Sequence, residues 1–289
     1  MAKFIVTTDS SSDAGKERLE ELKVPFISFT VNQQENTMLD KMDEIQNKAF
    51  YQNIRQGSIF KTSQINEFQY EEFFHSVEKD NLPILHISLC EGLSNTINNA
   101  RLAADKLLKE GIKVIVVDAT IACLGSYMAV LEAVKFRDQD VDIDEASRII
   151  SEKSKHIIPL YTTDTLTYFA RGGRLSKASA VIGSIIKLNI IMSCGATGKL
   201  NVKYKLIGQK KAWKKIIEEV KTLVINPEEQ TLYCCDADNR EEMIKLAEQI
   251  KLVIPFKNIE YHSMGPTIGA HTGPGLLAVF FYGQEKIDK

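Results

Sequence analysis

The sequence predicts an α/β fold in two parts, a first domain built on a parallel sheet and a second domain built on a mixed sheet. Three observations carry that prediction. Across the first half, short β-branched runs alternate with stretches of helical periodicity, the pattern of strand–helix–strand crossovers. In the second half, two extended runs flank Cys194-Gly195-Ala196-Thr197-Gly198, a turn suited to an antiparallel hairpin. The chain has 289 residues, 44% of them hydrophobic, which is enough for roughly two cores.

In chain order, residues 4–7, 25–31, 84–89 and 114–118 read as strands because each is a short run rich in Ile, Val or Phe. The segment from about 38 to 72 is polar and weakly periodic and reads as an insertion on the first domain. Residues 94–110 place Ile97, Ala100, Leu102, Ala104, Leu107 and Leu108 mostly along one face, so they read as a helix with Ser94 as its N-cap. A second helix fits 122–137. The acidic stretch 138–144 is the region where the composition breaks, and it opens a third helix over 144–156. Dividing the chain after that helix gives domains 1–157 and 158–289. In the second domain, 166–175 reads as a helix ending at Gly172-Gly173. Residues 188–193 and 199–207 form the hairpin, 210–223 and 240–250 are helices, and 231–235, 259–263 and 276–282 are strands.

Composition narrows the function. A formal charge of -2 argues against nucleic acid as a partner, since phosphate binding needs a basic surface. The longest apolar run, from Leu276 to Tyr282, is far short of the roughly 20 residues that span a bilayer, so a soluble cytoplasmic protein is expected. Cys90, Cys123, Cys194, Cys234 and Cys235 include no CxxC pair and no spacing suited to zinc. They are expected to be reduced and mostly buried, and neither metal nor cofactor is expected.

Polar loops at strand ends hold the candidate chemistry, because ligands of open α/β sheets bind there. Thr8-Asp9-Ser10-Ser11-Ser12-Asp13 follows the first strand and suits capping of the next helix. Lys61-Thr62-Ser63-Gln64 lies inside the insertion, where it also reads as a surface turn. Cys90-Glu91-Gly92-Leu93-Ser94-Asn95-Thr96 leads into the strongest helix, whose free amides suit an anion. Gly92 permits close backbone approach there, but the loop is neither a Walker loop nor a dinucleotide fingerprint. Gly265-Pro266-Thr267-Ile268-Gly269-Ala270-His271-Thr272-Gly273-Pro274-Gly275 holds a histidine in a bend with more glycine and proline than a turn needs. Arg171 and Arg174 are expected to pair with acidic residues across a domain seam. The lysines at 199, 203, 205, 210, 211, 214 and 215 read as a solvated face, with transient contact to an anionic membrane as the alternative.

Five of these pieces, in order and at suitable spacing, resemble the DegV family of bacterial fatty acid-binding proteins, the carrier subunits of fatty acid kinase. They are Asp9-Ser10-Ser11-Ser12-Asp13, Thr62-Ser63-Gln64, Gly92-Leu93-Ser94-Asn95-Thr96, Gly172-Gly173-Arg174 and Gly269-Ala270-His271-Thr272-Gly273-Pro274-Gly275. The resemblance implies two α/β domains with a long-chain fatty acid buried in a tunnel at their junction. It implies that Thr62 and Ser94 bind the ligand carboxylate with His271 close by. Ser63, Gly92, Asn95, Thr96, Thr272, Arg171 and Arg174 would support them. It implies a non-catalytic carrier whose partner is an ATP-dependent fatty acid kinase that forms the acyl phosphate. Residues 180–186 and 276–281 are the candidate tail contacts. Two departures from the family pattern bear on the head group: Asn95 stands where glycine is usual, and Glu91 puts a negative charge near the pocket unless it faces solvent. The competing expectation is a serine esterase or thioesterase with Ser94 as nucleophile and His271 as base, which needs an orienting acid beside the histidine.

Overall fold

The computed structural model describes residues 3–175 and 188–286. In chain order its elements are β1 (Ile5–Asp9), α1 (Lys16–Glu21), β2 (Phe26–Ile27), β3 (Thr30–Gln33), β4 (Asn36–Leu39), α2 (Glu44–Arg55), β5 (Lys61–Ser63) and α3 (Glu67–Val77). There follow β6 (Ile84–Ser88), α4 (Thr96–Lys109), β7 (Val114–Asp118), α5 (Leu124–Asp138) and α6 (Ile143–Ser154). The remainder comprises β8 (Ile157–Thr163), α7 (Thr167–Gly172), β9 (Leu188–Cys194), β10 (Leu200–Ile207), α8 (Gln209–Leu223), β11 (Thr231–Asp236), α9 (Arg240–Lys251), β12 (Asn258–Ser263), α10 (Pro266–Thr272) and β13 (Leu277–Tyr282).

The fold class is α/β, as the sequence predicts. A four-stranded sheet of order β2-β1-β6-β7 is parallel throughout. A six-stranded sheet of order β10-β9-β8-β13-β11-β12 is mixed: only β11 and β12 run parallel. A small antiparallel sheet, β4-β3-β5, stands beside them.

The two larger sheets face each other across α5, which packs against β1 and β6 on one side and β8 and β11 on the other. Its residues from Leu124 to Val130 are all buried, as expected of a helix that is apolar all round. One continuous core therefore joins Val6 and Leu85 of the first sheet to Tyr161, Cys235 and Phe280 of the second. The outer face of the parallel sheet is covered by α3 and α4 through Tyr70, Phe74, Ala100 and Leu107, and that of the mixed sheet by α8 and α9 through Trp213, Ile216, Met243 and Leu246.

One expectation is corrected, and one segment gains detail. The strand over 25–31 is two strands in different sheets, because the chain turns at Ser28-Phe29, where the Phe29 amide donates to Ser10 Oγ (3.0 Å) and the Asp40 amide donates to the Phe29 carbonyl (2.9 Å). The weakly periodic segment 38–72 is also well structured. Asp43 caps α2 by accepting from the Gln46 amide (2.9 Å), and Asn66 and Gln69 form a reciprocal capping box on α3. No described helix is long and apolar enough to cross a membrane.

Candidate functional site

The loop after β1 organises the site from below. Asp9 accepts from the amides of Ser11 and Leu89, both at 3.0 Å, and also from the Ser11 hydroxyl. Asp13 accepts from the Gly265 amide at 2.8 Å, and Asp40 accepts from the Thr267 amide at 2.9 Å. These carboxyls are buried, and burial pushes all three above the usual carboxylate range. The loop caps its own short 3-10 turn, Ser10–Ser12, through Asp9, and not α1, which follows Gly15 with no side-chain cap. It holds the start of α10, whose last turn carries His271.

β5 supplies the second piece. Alternation along the strand turns Lys61 and Ser63 outward and Thr62 inward. Thr62 Oγ1 lies 2.8 Å from His271 Nε2. The register is fixed from α4, where Thr96 Oγ1 accepts from the Ile65 amide (3.0 Å) and Asn99 Nδ2 donates to the Ile65 carbonyl (2.7 Å).

α7 supplies the third piece. Gly172 lies against the imidazole so closely that a Cβ there would sit 2.2 Å from Nδ1. Nδ1 is buried and makes no hydrogen bond. Burial, and then the Arg174 guanidinium, lower the His271 pKa from 6.5 to about 4, so the ring is neutral near pH 7. Arg174 donates to the carbonyls of Leu93 (3.3 Å) and Gly172 (2.5 Å).

These pieces enclose a cavity of about 70 Å³ between the sheets. Thr62, Ser94, Arg174, His271 and Thr272 give it polar atoms, while Phe29, Leu89, Ala122, Tyr161, Phe169, Leu200 and Ile268 make its walls apolar. Thr62, Ser94 and His271 thus share one cavity, with two of the supporting residues, Arg174 and Thr272, beside them. A fixed cation faces the same space, although hydroxyls and imidazole alone suffice to receive a carboxylate.

The other supporting residues lie elsewhere. Ser63 is exposed and accepts from Asn32 Nδ2 at 2.9 Å. Thr96 is committed to Ile65. Gly92 packs against the β9–β10 turn: a Cβ would lie 2.2 Å from the Thr197 carbonyl oxygen, so its missing side chain serves docking of the hairpin. α4 begins at Thr96, and Asn95 occupies the cap position, its Oδ1 accepting from Asn98 Nδ2 (2.7 Å) rather than from an amide. Ser94, the expected cap, stands one residue before the observed cap position, although its Oγ still accepts from the Thr96 amide at 3.3 Å. Arg171 is exposed, with its guanidinium 5.8 Å from the Tyr168 ring, in an outer groove that also reaches Thr62, Arg174 and His271. No described acidic residue pairs with Arg171 or Arg174; in place of the expected seam salt bridge Arg174 bonds to carbonyls and Arg171 lies near the Tyr168 ring.

Glu91 is exposed and pairs with Arg101 at 3.2 Å, away from the cavity. The lysine-rich face is solvated, with Lys203 on Glu219 (2.5 Å) and Lys215 over the Tyr204 ring (4.6 Å). All five cysteines are buried and unbridged. Of the candidate tail contacts, Leu276 to Phe281 are core residues, and 180–186 lie outside the described residues. The geometry of the esterase alternative does not form: His271 bonds to Thr62 rather than to Ser94, and no carboxylate orients its Nδ1. Sequence reasoning missed Asp40, which lies in the polar segment without any motif, and read Asp13 as a cap although its partner is 252 residues away.

A family model described as "Uncharacterised protein, DegV family" matches residues 3–284. A DegV domain-containing protein of Clostridium perfringens is 33% identical over 289 residues, covering 99% of each chain. Among solved structures, a DegV lipid binding protein from Thermotoga maritima superposes with a TM-score of 0.86 at 22% identity, covering 98% of this chain and 99% of that one. DegV of Bacillus subtilis, described as a fatty acid binding protein, superposes with a TM-score of 0.83 at 24% identity, covering 98% and 100%. With the family model spanning nearly the whole sequence and a relative above 30% identity over its full length, the chain belongs to the DegV family.

Proposed function

We propose that this protein binds a long-chain fatty acid between its domains, 1–157 and 158–289, and presents the carboxylate to a separate ATP-dependent fatty acid kinase that forms the acyl phosphate. The observation that carries the reading is the Thr62–His271 hydrogen bond at an apolar cavity that Ser94 and Arg174 also face. A proton on His271 Nε2 lets the ring donate to Thr62 Oγ1 and frees the Thr62 hydroxyl to donate to a carboxylate. Ser94 offers a second hydroxyl and Arg174 the compensating charge. Neither acts as nucleophile or base, and the protein's part is to hold and orient. The lipid described for the Thermotoga and Bacillus neighbours supports the same ligand class.

Burial of a tail of about 14 methylenes is worth on the order of 11 kcal/mol before ordering costs, so the tail supplies most of the affinity and the polar cluster sets its direction. The test is to denature the purified protein, extract it with solvent and identify the released molecules by mass spectrometry. Reloaded protein is then assayed for acyl phosphate with a fatty acid kinase and ATP. A stoichiometric long-chain fatty acid and acyl phosphate formation are expected. An empty extract with no uptake of added fatty acid removes the carrier reading, and lipid binding without acyl phosphate removes the kinase step alone. The site uses no cofactor in this reading, and the fatty acid is its ligand.

A further inference from the structure

The cysteine spacing suggests no metal site, yet folding assembles one grouping of which only Cys123 borders the proposed fatty acid cavity. Asp13 follows β1, Cys123 precedes α5 and Cys235 lies in β11. One Asp13 carboxylate oxygen and the two sulfurs all lie within 4.8 Å of one another. The residues are 2%, 1% and 0% exposed. Asp13 Oδ1 is held by the Gly265 amide, whereas Oδ2 makes no hydrogen bond of good geometry, with the Cys123 thiol beside it. A buried carboxylate oxygen without a well-formed hydrogen bond, in a group whose other neighbours include a thiol, requires an explanation. Charge sharpens the point. Asp9, Asp13 and Asp40 are all buried, and no described Lys, Arg or His pairs with any of them.

We propose that Asp13, Cys123 and Cys235 bind one thiophilic divalent cation, zinc, as a two-sulfur, one-oxygen ligand set. Tetrahedral zinc places such ligands roughly 3.5–3.8 Å apart, within the observed spread after slight tightening. Two thiolates select zinc over calcium or magnesium, which prefer oxygen. Binding requires both thiols to release their protons to solvent, leaving two sulfur–metal bonds and one oxygen–metal bond. Cys123 also lines the cavity, which supplies a route in and room for a water as fourth ligand. The ion joins the loop of the parallel sheet to a strand of the mixed sheet through the start of α5. It is therefore a staple across the seam that the acyl chain is proposed to occupy.

The test uses the full-length chain, reduced and stripped with a chelator, then titrated with cobalt(II) alone. Thiolate-to-cobalt charge transfer with tetrahedral visible bands, saturating at one ion per chain and displaced by zinc, is expected. Cys235→Ser and Asp13→Asn are expected to weaken cobalt binding by more than about 100-fold, the upper end of what losing an outer-shell partner costs. Cys234→Ala, next in sequence but outside the grouping, leaves it unchanged. X-ray absorption at the zinc edge of the wild-type chain avoids dependence on variant folding and is expected to show two sulfur neighbours with oxygen. Saturating cobalt without a thiolate band, equal affinity in Cys235→Ser, or a zinc edge lacking sulfur overturns the proposal. Fatty acid uptake, measured on the same samples, reports separately on the acyl site.

Discussion

At the scale of single residues, the proposed head-group pocket rests on two side chains whose roles separate experimentally. Thr62→Val keeps the shape of the side chain and removes the hydroxyl. A hydrogen bond to a charged group contributes about 1.5–3 kcal/mol, so fatty acid affinity is expected to fall at least roughly 10-fold with the tail still bound. Calorimetric titration of delipidated protein checks this, and an unchanged Kd removes Thr62 from the site. His271 makes a different prediction because it titrates. Its pKa is about 4 in the folded chain against 6.5 unfolded. Between those values the unfolded state binds more protons, so stability rises with pH: the contribution is complete above about 6.5 and is lost as pH falls toward 4, about 3 kcal/mol in all. His86, buried and lowered to about 3, slopes the same way, whereas Asp9, Asp13 and Asp40, raised by burial, slope the opposite way, so the comparison must be with His271→Gln, which removes the His271 slope alone. Urea unfolding at several pH values between 4 and 7 is expected to show a shallower dependence in the variant. A bound carboxylate favours the charged ring, so fatty acid should move the His271 midpoint upward in an NMR titration.

At the scale of elements, the site depends on a contact that no single motif encodes. α7 and α10 pack with Gly172 against His271, and the 2.2 Å approach leaves no room for a methyl group. Gly172→Ala is expected to displace the imidazole and break the Thr62–His271 bond, lowering fatty acid affinity about 10-fold with a smaller loss of stability. Comparing Kd with the urea midpoint distinguishes the two; a variant with reduced stability and intact affinity would show that the ring needs no such support. The elements themselves were largely legible. α4 has one apolar face, and the hairpin has its glycine-containing turn, so both follow from periodicity and turn chemistry. The break between β2 and β3 was not legible, because a strand-like run from Phe26 to Val31, with Ser28 and Thr30 alternating among apolar residues, conceals a change of sheet made by two hydrogen bonds at Phe29. Nor was the role of Thr96, a residue read as ligand support that clasps Ile65 and so aims Thr62. Motif reasoning located the right loops. It could not tell which hydroxyl in each loop faces inward, since that depends on partners more than 30 positions away.

At the scale of the whole molecule, the parallel and mixed sheets share one core through α5, so the proposed acyl site lies in a seam that is otherwise packed. Apolar walls such as Leu89, Tyr161, Phe169 and Leu200 are available to the tail there. A ligand held between packed sheets binds the folded chain alone. At a free concentration 100 times Kd, such a ligand stabilises by about 2.7 kcal/mol. For a chain of this size each kcal/mol shifts the melting temperature by about 2–4 °C, so delipidated protein is expected to melt roughly 5–10 °C higher with a long-chain fatty acid than without. Since the seam joins both sheets, the shift should move one cooperative transition rather than split it into two. At the same ligand concentration Thr62→Val should retain about half of the shift, since a 10-fold weaker Kd lowers the stabilisation to about 1.4 kcal/mol. A melting temperature insensitive to fatty acid, or a second transition that alone responds to it, would mean that the tail does not lie between the sheets.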